Sequence, residues 1–501
     1  MEENRDYEER REYRRKRRIR NQIIAYVSVV VFFAAVIGGA VFGIHTVTSR
    51  ISEKKQAEEL AKQLEEISQE EAVVEPPAPV EEPVEEVNWL EEIVETAIAE
   101  MPLEDKVAGL FMVTPEQLTG VDKAIKAGDG TKDALNQYAV GGLVYFSQNI
   151  KDKEQLTEML SNTRSMSKYP LFLAVDEEGG AVRRVGGSIE VPEVGDMAEI
   201  GAGGDTMAAY NAGASIASYL YELGFDVDFA PVADIVADPE SSVMGKRSFG
   251  SDPAAVGDMV AAVTGGIQDT GVSACLKHFP GIGAAAEDTH EGMAVLEKSA
   301  DDLRGAEWIP FQAGIDAGVH FVMAGHVSLP NVVGDNTPCS LSEEVITNLL
   351  RGELGYNGIV ITDAMNMPAV TEYYTADEAA IMALKAGADM ILMPEDFETA
   401  YEGVLAAVRD GVIAEDRVNE SLKRIYRVKY RDRVDSSGNV VGSEGGESAG
   451  AASTDAGNTD TASTDAGNTD TASTGAGNTD TASTGTENTD AGSTDGENQE
   501  D

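Results

Sequence analysis

Eight short apolar runs between Trp89 and Arg431 constrain this chain more than any other feature. They are GLFMV at 109–113, GGLVYF at 141–146, LFLAV at 171–175, VDFAPV at 227–232, SACLK at 273–277, HFVMAG at 320–325, GIVIT at 358–362 and DMILM at 389–393. Most are separated by segments of helical periodicity, such as Asp377 to Ala388 after the seventh run. Near-continuous apolar strands that alternate with helices predict a parallel sheet covered by those helices. Eight such units fit an α/β fold of the (β/α)8, TIM-type barrel class. The rival is an open, doubly wound sheet.

The placement of polar residues favours the barrel. Asp176, Asp234, Lys277 with His278, His326 and Asp363 each fall at or just past the C-terminal end of a run. That rim is where barrels build sites, using the ends of several strands. A single polar strand end means little, whereas six residues at five ends define a candidate site.

Two segments carry the sharper chemistry. In KHFPGIGAAAEDTHEGM, residues 277–293, a strand ends in Lys277 and His278, and a Pro-Gly turn and small-residue loop follow, up to Asp288-Thr289-His290. A carboxylate two residues before an imidazole can fix its tautomer and raise the basicity of the other ring nitrogen. Such a pair can donate a proton to a leaving group and later accept one from water. The bland alternative is a surface loop whose Asp and His cap neighbouring backbone. In VITDAMNM, residues 360–367, Asp363 ends an apolar strand. There it could serve as a nucleophile, a metal ligand or a substrate-binding group.

The flanks are of a different kind. Residues 1–22 form a basic segment with Arg14, Arg15, Lys16, Arg17, Arg18 and Arg20, expected to be cytoplasmic. From Ile23 to Ile44 the chain is almost wholly apolar, and about 20 such residues cross a hydrocarbon core of about 30 Å. The run is longer than the roughly 7–15 residues of a secretory signal, and its end is a poor cleavage site. The expectation is a single-pass cell-membrane anchor over 23–44, with the rest outside the cytoplasm. Residues 45–88 read as a charged, Pro/Glu-rich stalk, helix-forming over 51–71 and extended over 72–88. Residues 89–432 form the barrel, and residues 433–501 are a low-complexity tail with a decaying STDAGNTDTA-like unit. Lacking apolar side chains to bury, that tail is expected to be disordered. Much of the formal net charge of −50 sits in the stalk and tail. Acidity of this size excludes nucleic acid as a partner. Cys275 reads as a buried core thiol and Cys339 as a loop residue. Their spacing calls for no disulfide.

Taken together, AVDEEGGAVRRV (174–185), FAPVADI (229–235), MGKRSFGSDP (244–253), KHFPGIG (277–283), EDTH (287–290), MAGHVSLP (323–330) and VITDAMNM resemble glycoside hydrolase family 3. The likeness is to its single-barrel bacterial β-N-acetylglucosaminidases (β-hexosaminidases), with the blocks in family order across the middle domain. The resemblance implies Asp363 as catalytic nucleophile, His290 as general acid/base on a loop and Asp288 as its dyad partner. It also implies sugar contacts from Asp176, Arg184, Arg247, Lys277 and His278. Two positions depart from the pattern: Ile282 replaces the histidine of PGHG, and Ala181 replaces a common arginine. In two-domain relatives the acid/base comes from a second domain. Here the chain turns to low complexity soon after Tyr430, so the resemblance places the proton donor in the barrel.

The implied activity is exo-acting, retaining release of terminal β-N-acetylglucosamine, with cell-wall glycan or its fragments as the expected substrate. No cofactor and no metal are implied. Three alternatives stay open at this point. One is β-glucosidase-type or phosphorolytic activity on the same scaffold. Another is metal-dependent hydrolysis using His278, His290 and His326, although GLFMV lacks the His-x-His of amidohydrolase-type barrels. The third is a tethered carbohydrate-binding protein without catalysis.

Overall fold

The computed structural model describes residues 89–236, 244–285 and 292–431. The basic segment, anchor, stalk and tail expected from the sequence lie outside these residues, as do Asp288 and His290. Among the described residues, no helix is long and apolar enough to cross a membrane.

All eight apolar runs contain strands. They are β1 (Phe111–Val113), β2 (Gly142–Tyr145), β3 (Phe172–Val175), β6 (Val227–Asp228), β7 (Ser273–Phe279), β8 (Phe321–Ala324), β9 (Ile359–Thr362) and β10 (Ile391–Leu392). Between β3 and β6 lies a short hairpin of β4 (Glu177–Gly179) and β5 (Val182–Arg183). The eight long-range strands are parallel in the order β10-β1-β2-β3-β6-β7-β8-β9. The first strand therefore pairs with the last, through Phe111 opposite Ile391, which removes the open doubly wound alternative. The remaining seam between β9 and β10 is spanned by a bridge from Ile361 to Met390, making an α/β fold with a nearly closed eight-stranded parallel barrel, as in TIM-type proteins.

Every residue of these eight strands is buried. Side chains on one face fill the barrel and those on the other meet the helices, which is why the runs are apolar without alternation. Outer helices include Lys153–Met166, Thr206–Leu223, Pro253–Gln268, Trp308–Asp316, Ala376–Ala386 and Phe397–Arg409. The second and third of these cross closely at Gly266, where a Cβ would lie 2.1 Å from the Tyr210 carbonyl oxygen. Only glycine permits that approach.

The seam is locked at the base of the barrel by a residue that the sequence reading passed over. The buried Asp389, just before β10, accepts the Val360 amide at 3.0 Å, Arg351 at 2.6 Å, Ser421 at 2.7 Å and Arg424 at 3.1 Å. One carboxylate thus joins β9, β10, the helical segment Glu344–Glu353 and the final helix Glu415–Tyr430. Charge-assisted bonds of this kind are roughly twice as strong as neutral ones. Cys275 and Cys339 are both buried free thiols.

Candidate active site

Six of the eight expected site residues meet at one place. Asp176, Arg184, Arg247, Lys277, His278 and Asp363 line a cavity of about 330 Å³ at the C-terminal rim of the barrel. Its more apolar side is formed by Val144, Phe146, Phe229, Met323, Met367 and Leu392. The other two, Asp288 and His290, lie outside the described residues.

The cationic wall starts from Lys277, near the end of β7 and almost wholly buried. Its Nζ donates to Asp176 at 2.7 Å and lies 2.6 Å from Glu178. Glu178 in turn accepts two parallel bonds from Arg247, both at 2.7 Å. Burial raises the Glu178 carboxyl, but Lys277 and Arg247 outweigh it and hold the acid down at about 2. Burial pulls Lys277 the other way, and Asp176 and Glu178 overcome it, so the ammonium stays charged. Two cations and two carboxylates form a charge-balanced set whose remaining donors and acceptors can meet the polar groups of a ligand.

Glu178 was missed as a site residue, although the sequence held a signal for it. Side chains two apart on an extended segment share a face, so Asp176 places Glu178 beside it and turns Glu177 away. The tight turn between β4 and β5 needs glycines. Gly179 and Gly180 have φ of 87° and 53°, and a Cβ on Gly180 would sit 2.3 Å from an Asp196 oxygen.

His278 is oriented by Asp234, the buried carboxylate beyond β6. Asp234 Oδ2 lies 2.9 Å from His278 Nδ1 and also accepts the His278 amide at 3.2 Å. Its Oδ1 accepts the Ile282 amide at 2.7 Å. Ile282, which replaces the family histidine, is packed against the core, and its backbone ties the PGIG turn to Asp234. Asp234 was legible as a polar strand end, but its partner lies 44 residues away.

Asp363 leaves β9 with its amide donating to the Ala324 carbonyl at 2.8 Å, while its Oδ1 accepts the Ala364 amide at 2.8 Å. Burial raises the carboxyl, but His278, His326, the Ala364 amide and Lys277 together outweigh it. Asp363 therefore stays below its ordinary value and is an anion at neutral pH. His326 has one ring nitrogen 2.8 Å from Ser340 and the other 3.0 Å from the Ala364 carbonyl. It braces the Asp363 turn, a use that competes with the metal ligation considered above.

An anionic carboxylate beside a set of buried fixed charges, at the C-terminal rim of a parallel barrel, marks a candidate enzyme site for a small polar substrate. The Glycosyl hydrolase family 3 N terminal domain matches residues 102–428, and the chain belongs to that family. It is 34% identical over 272 residues to a beta-hexosaminidase of Nitrosomonas eutropha, covering 54% of this chain and 77% of that one. It is 31% identical over 328 residues to beta-hexosaminidase A of Pseudoalteromonas piscicida, covering 60% and 54%. A solved family 3 beta-N-acetylglucosaminidase from Paenibacillus sp. str. FPU-7 is 35% identical with a TM-score of 0.63, covering 70% and 65%. The chain thus spans about half of the second relative and just under two thirds of the third.

Proposed function

We propose that this protein is an exo-acting, retaining β-N-acetylglucosaminidase. The observation that carries the reading is an Asp363 carboxylate kept anionic at a cavity that also gathers Asp176, Arg184, Arg247, Lys277 and His278. The names of the relatives support the choice of an N-acetylhexosamine. At about 330 Å³ the cavity is near the lower end of the roughly 300–1,000 Å³ usual for small-ligand pockets, which suits one terminal sugar.

In this mechanism Asp363 attacks the anomeric carbon while His290, paired with Asp288, protonates the departing glycosidic oxygen. Water then displaces Asp363 from the glycosyl enzyme, and His290 takes its proton. Two displacements at one carbon return the original configuration. The reading is tested on a panel of aryl glycosides with the full chain. N-acetyl-β-glucosaminide is expected to be cleaved with release of the β-anomer first. Preference for a sugar without the acetamido group contradicts the substrate assignment.

His290→Ala is expected to lower kcat by roughly 100- to 10,000-fold on substrates that need protonation of the leaving group. The loss is much smaller on aryl glycosides whose phenolate leaves unaided. Equal losses across leaving groups, measured as kcat against leaving-group pKa, contradict the acid/base role.

The reading extends to location. Residues 23–44 anchor the protein, the basic cluster stays inside, and 45–88 hold the barrel above the outer membrane face, within reach of cell-wall glycan. The length of the apolar run and the adjoining Arg and Lys residues support this. The full chain should then sediment with membranes, resist alkaline extraction and be cut by protease added to intact spheroplasts. Recovery in the soluble fraction contradicts the anchor.

A further inference from the structure

Glu177 is the carboxylate of the DEEGG block that the site leaves unused. It points away from the cavity that its neighbours Asp176 and Glu178 face, and it is fully buried. A buried carboxylate is costly unless its oxygens are satisfied. Here Oε2 accepts the Val185 amide at 2.7 Å. Oε1 accepts the Gly186 amide at 2.8 Å and the Tyr219 hydroxyl at 2.8 Å. The fit is close, because a Cβ on Gly186 would stand 2.9 Å from Oε1. The Glu177 amide is held in turn by the buried Asp228, whose Oδ1 accepts it at 3.0 Å.

The two amides gripped by Glu177 belong to the residues directly after Arg184. Arg184 lines the cavity, and its guanidinium lies over the Phe146 ring at 5.7 Å. Its buried Nε has no hydrogen-bond partner among the described residues. The Arg184 amide reaches the Asp176 carbonyl at 3.4 Å, at the long end for such a bond. The direction of this side chain is therefore set chiefly by the backbone that carries it. The Arg184 carbonyl accepts the Ser188 and Ser147 hydroxyls at 2.8 and 3.3 Å. The two amides that follow are held by the charged Glu177 carboxylate, the charge-assisted contact of the set.

We propose that Glu177 is a positioning residue for Arg184, acting through the Val185 and Gly186 amides with Tyr219 bracing the carboxylate from behind. The proposal rests on the reading of Arg184 as a sugar ligand. It gives the second acid of the block a task that an apolar residue of the same size cannot perform. Glutamine keeps the shape but turns an N–H donor toward one of the two amides.

The test is a double-mutant cycle in the full-length protein, read as kcat and KM on an aryl N-acetyl-β-glucosaminide. Arg184→Ala is expected to raise KM. Glu177→Gln is expected to raise KM about fivefold to tenfold, the loss that follows when a satisfied buried group loses a partner, with kcat within about twofold. In the Arg184→Ala background, Glu177→Gln is expected to add nothing further. Tyr219→Phe, which leaves the carboxylate and both amides in place, shows the same dependence on Arg184 with a smaller KM rise and serves if Glu177→Gln does not fold. Equal losses with and without Arg184, for whichever of these two variants folds, overturn the positioning role while leaving Arg184 a sugar ligand. Wild-type KM in Arg184→Ala overturns the sugar-binding reading and the proposal with it.

Discussion

Asp363→Ala is expected to remove turnover, lowering kcat on an aryl N-acetyl-β-glucosaminide by on the order of a thousandfold or more. The size of the effect follows from the role. In the proposed mechanism this carboxylate forms the covalent bond to the sugar, and it lines the cavity just past the end of β9. Its orientation is fixed by the Ala324 carbonyl, the Ala364 amide and the turn braced by His326. Those contacts are mostly backbone, so the variant keeps its fold, which circular dichroism checks. Retention of more than a tenth of wild-type kcat contradicts the assignment.

The second large effect falls on stability. Glu178→Gln removes the carboxylate that touches both Lys277 and Arg247, leaving Lys277 to its bond with Asp176 and the buried Arg247 guanidinium facing a neutral amide. Breaking a buried pair from one side costs about 3–5 kcal/mol, which for a domain of this size lowers Tm by on the order of 10 °C. The sign with pH is fixed by the depressed acid. Glu178 titrates near 4.5 when unperturbed and at about 2 in the folded protein. Its contribution is therefore present above 4.5 and lost as pH falls toward 2. Thermal melts of the two proteins should differ widely at pH 7 and converge in strong acid. A constant difference across that range contradicts the ion-pair account. KM should rise as well, because Lys277 and Arg247 lose their shared anchor.

Much of this architecture was written locally in the chain. The eight apolar runs located eight strands because a strand buried on both faces must be apolar throughout. Lys277, His278 and Asp363 were legible because polar groups at the ends of such runs interrupt an otherwise uniform pattern. What stayed hidden depends on contacts distant in sequence. Asp389 looked like the polar start of DMILM, and nothing nearby announces three arginines arriving from two other elements. Asp234 was visible, but its hold on His278 and Ile282 was not. The β4–β5 hairpin escaped notice because three residues against two give no periodicity to read. Glu178 was obscured by its own neighbour, since DEE offers three acids and only the alternation of faces separates them. For Asp288 and His290, which lie outside the described residues, the spacing left a surface loop equally open, so their acid/base reading rests on the resemblance and kinetics is the route to testing it.

If Asp363 bonds to the sugar during turnover, the glycosyl ester can be trapped. The direct measurement is mass spectrometry of the full-length protein after incubation with a slow-deglycosylating fluorosugar that has a good leaving group, followed by peptide mapping. One added glycosyl mass is expected, carried as an ester on the peptide containing Asp363, with no adduct in Asp363→Ala. An adduct on a different carboxylate, or steady cleavage of the reagent with no covalent species and an inverted product, contradicts the role of Asp363.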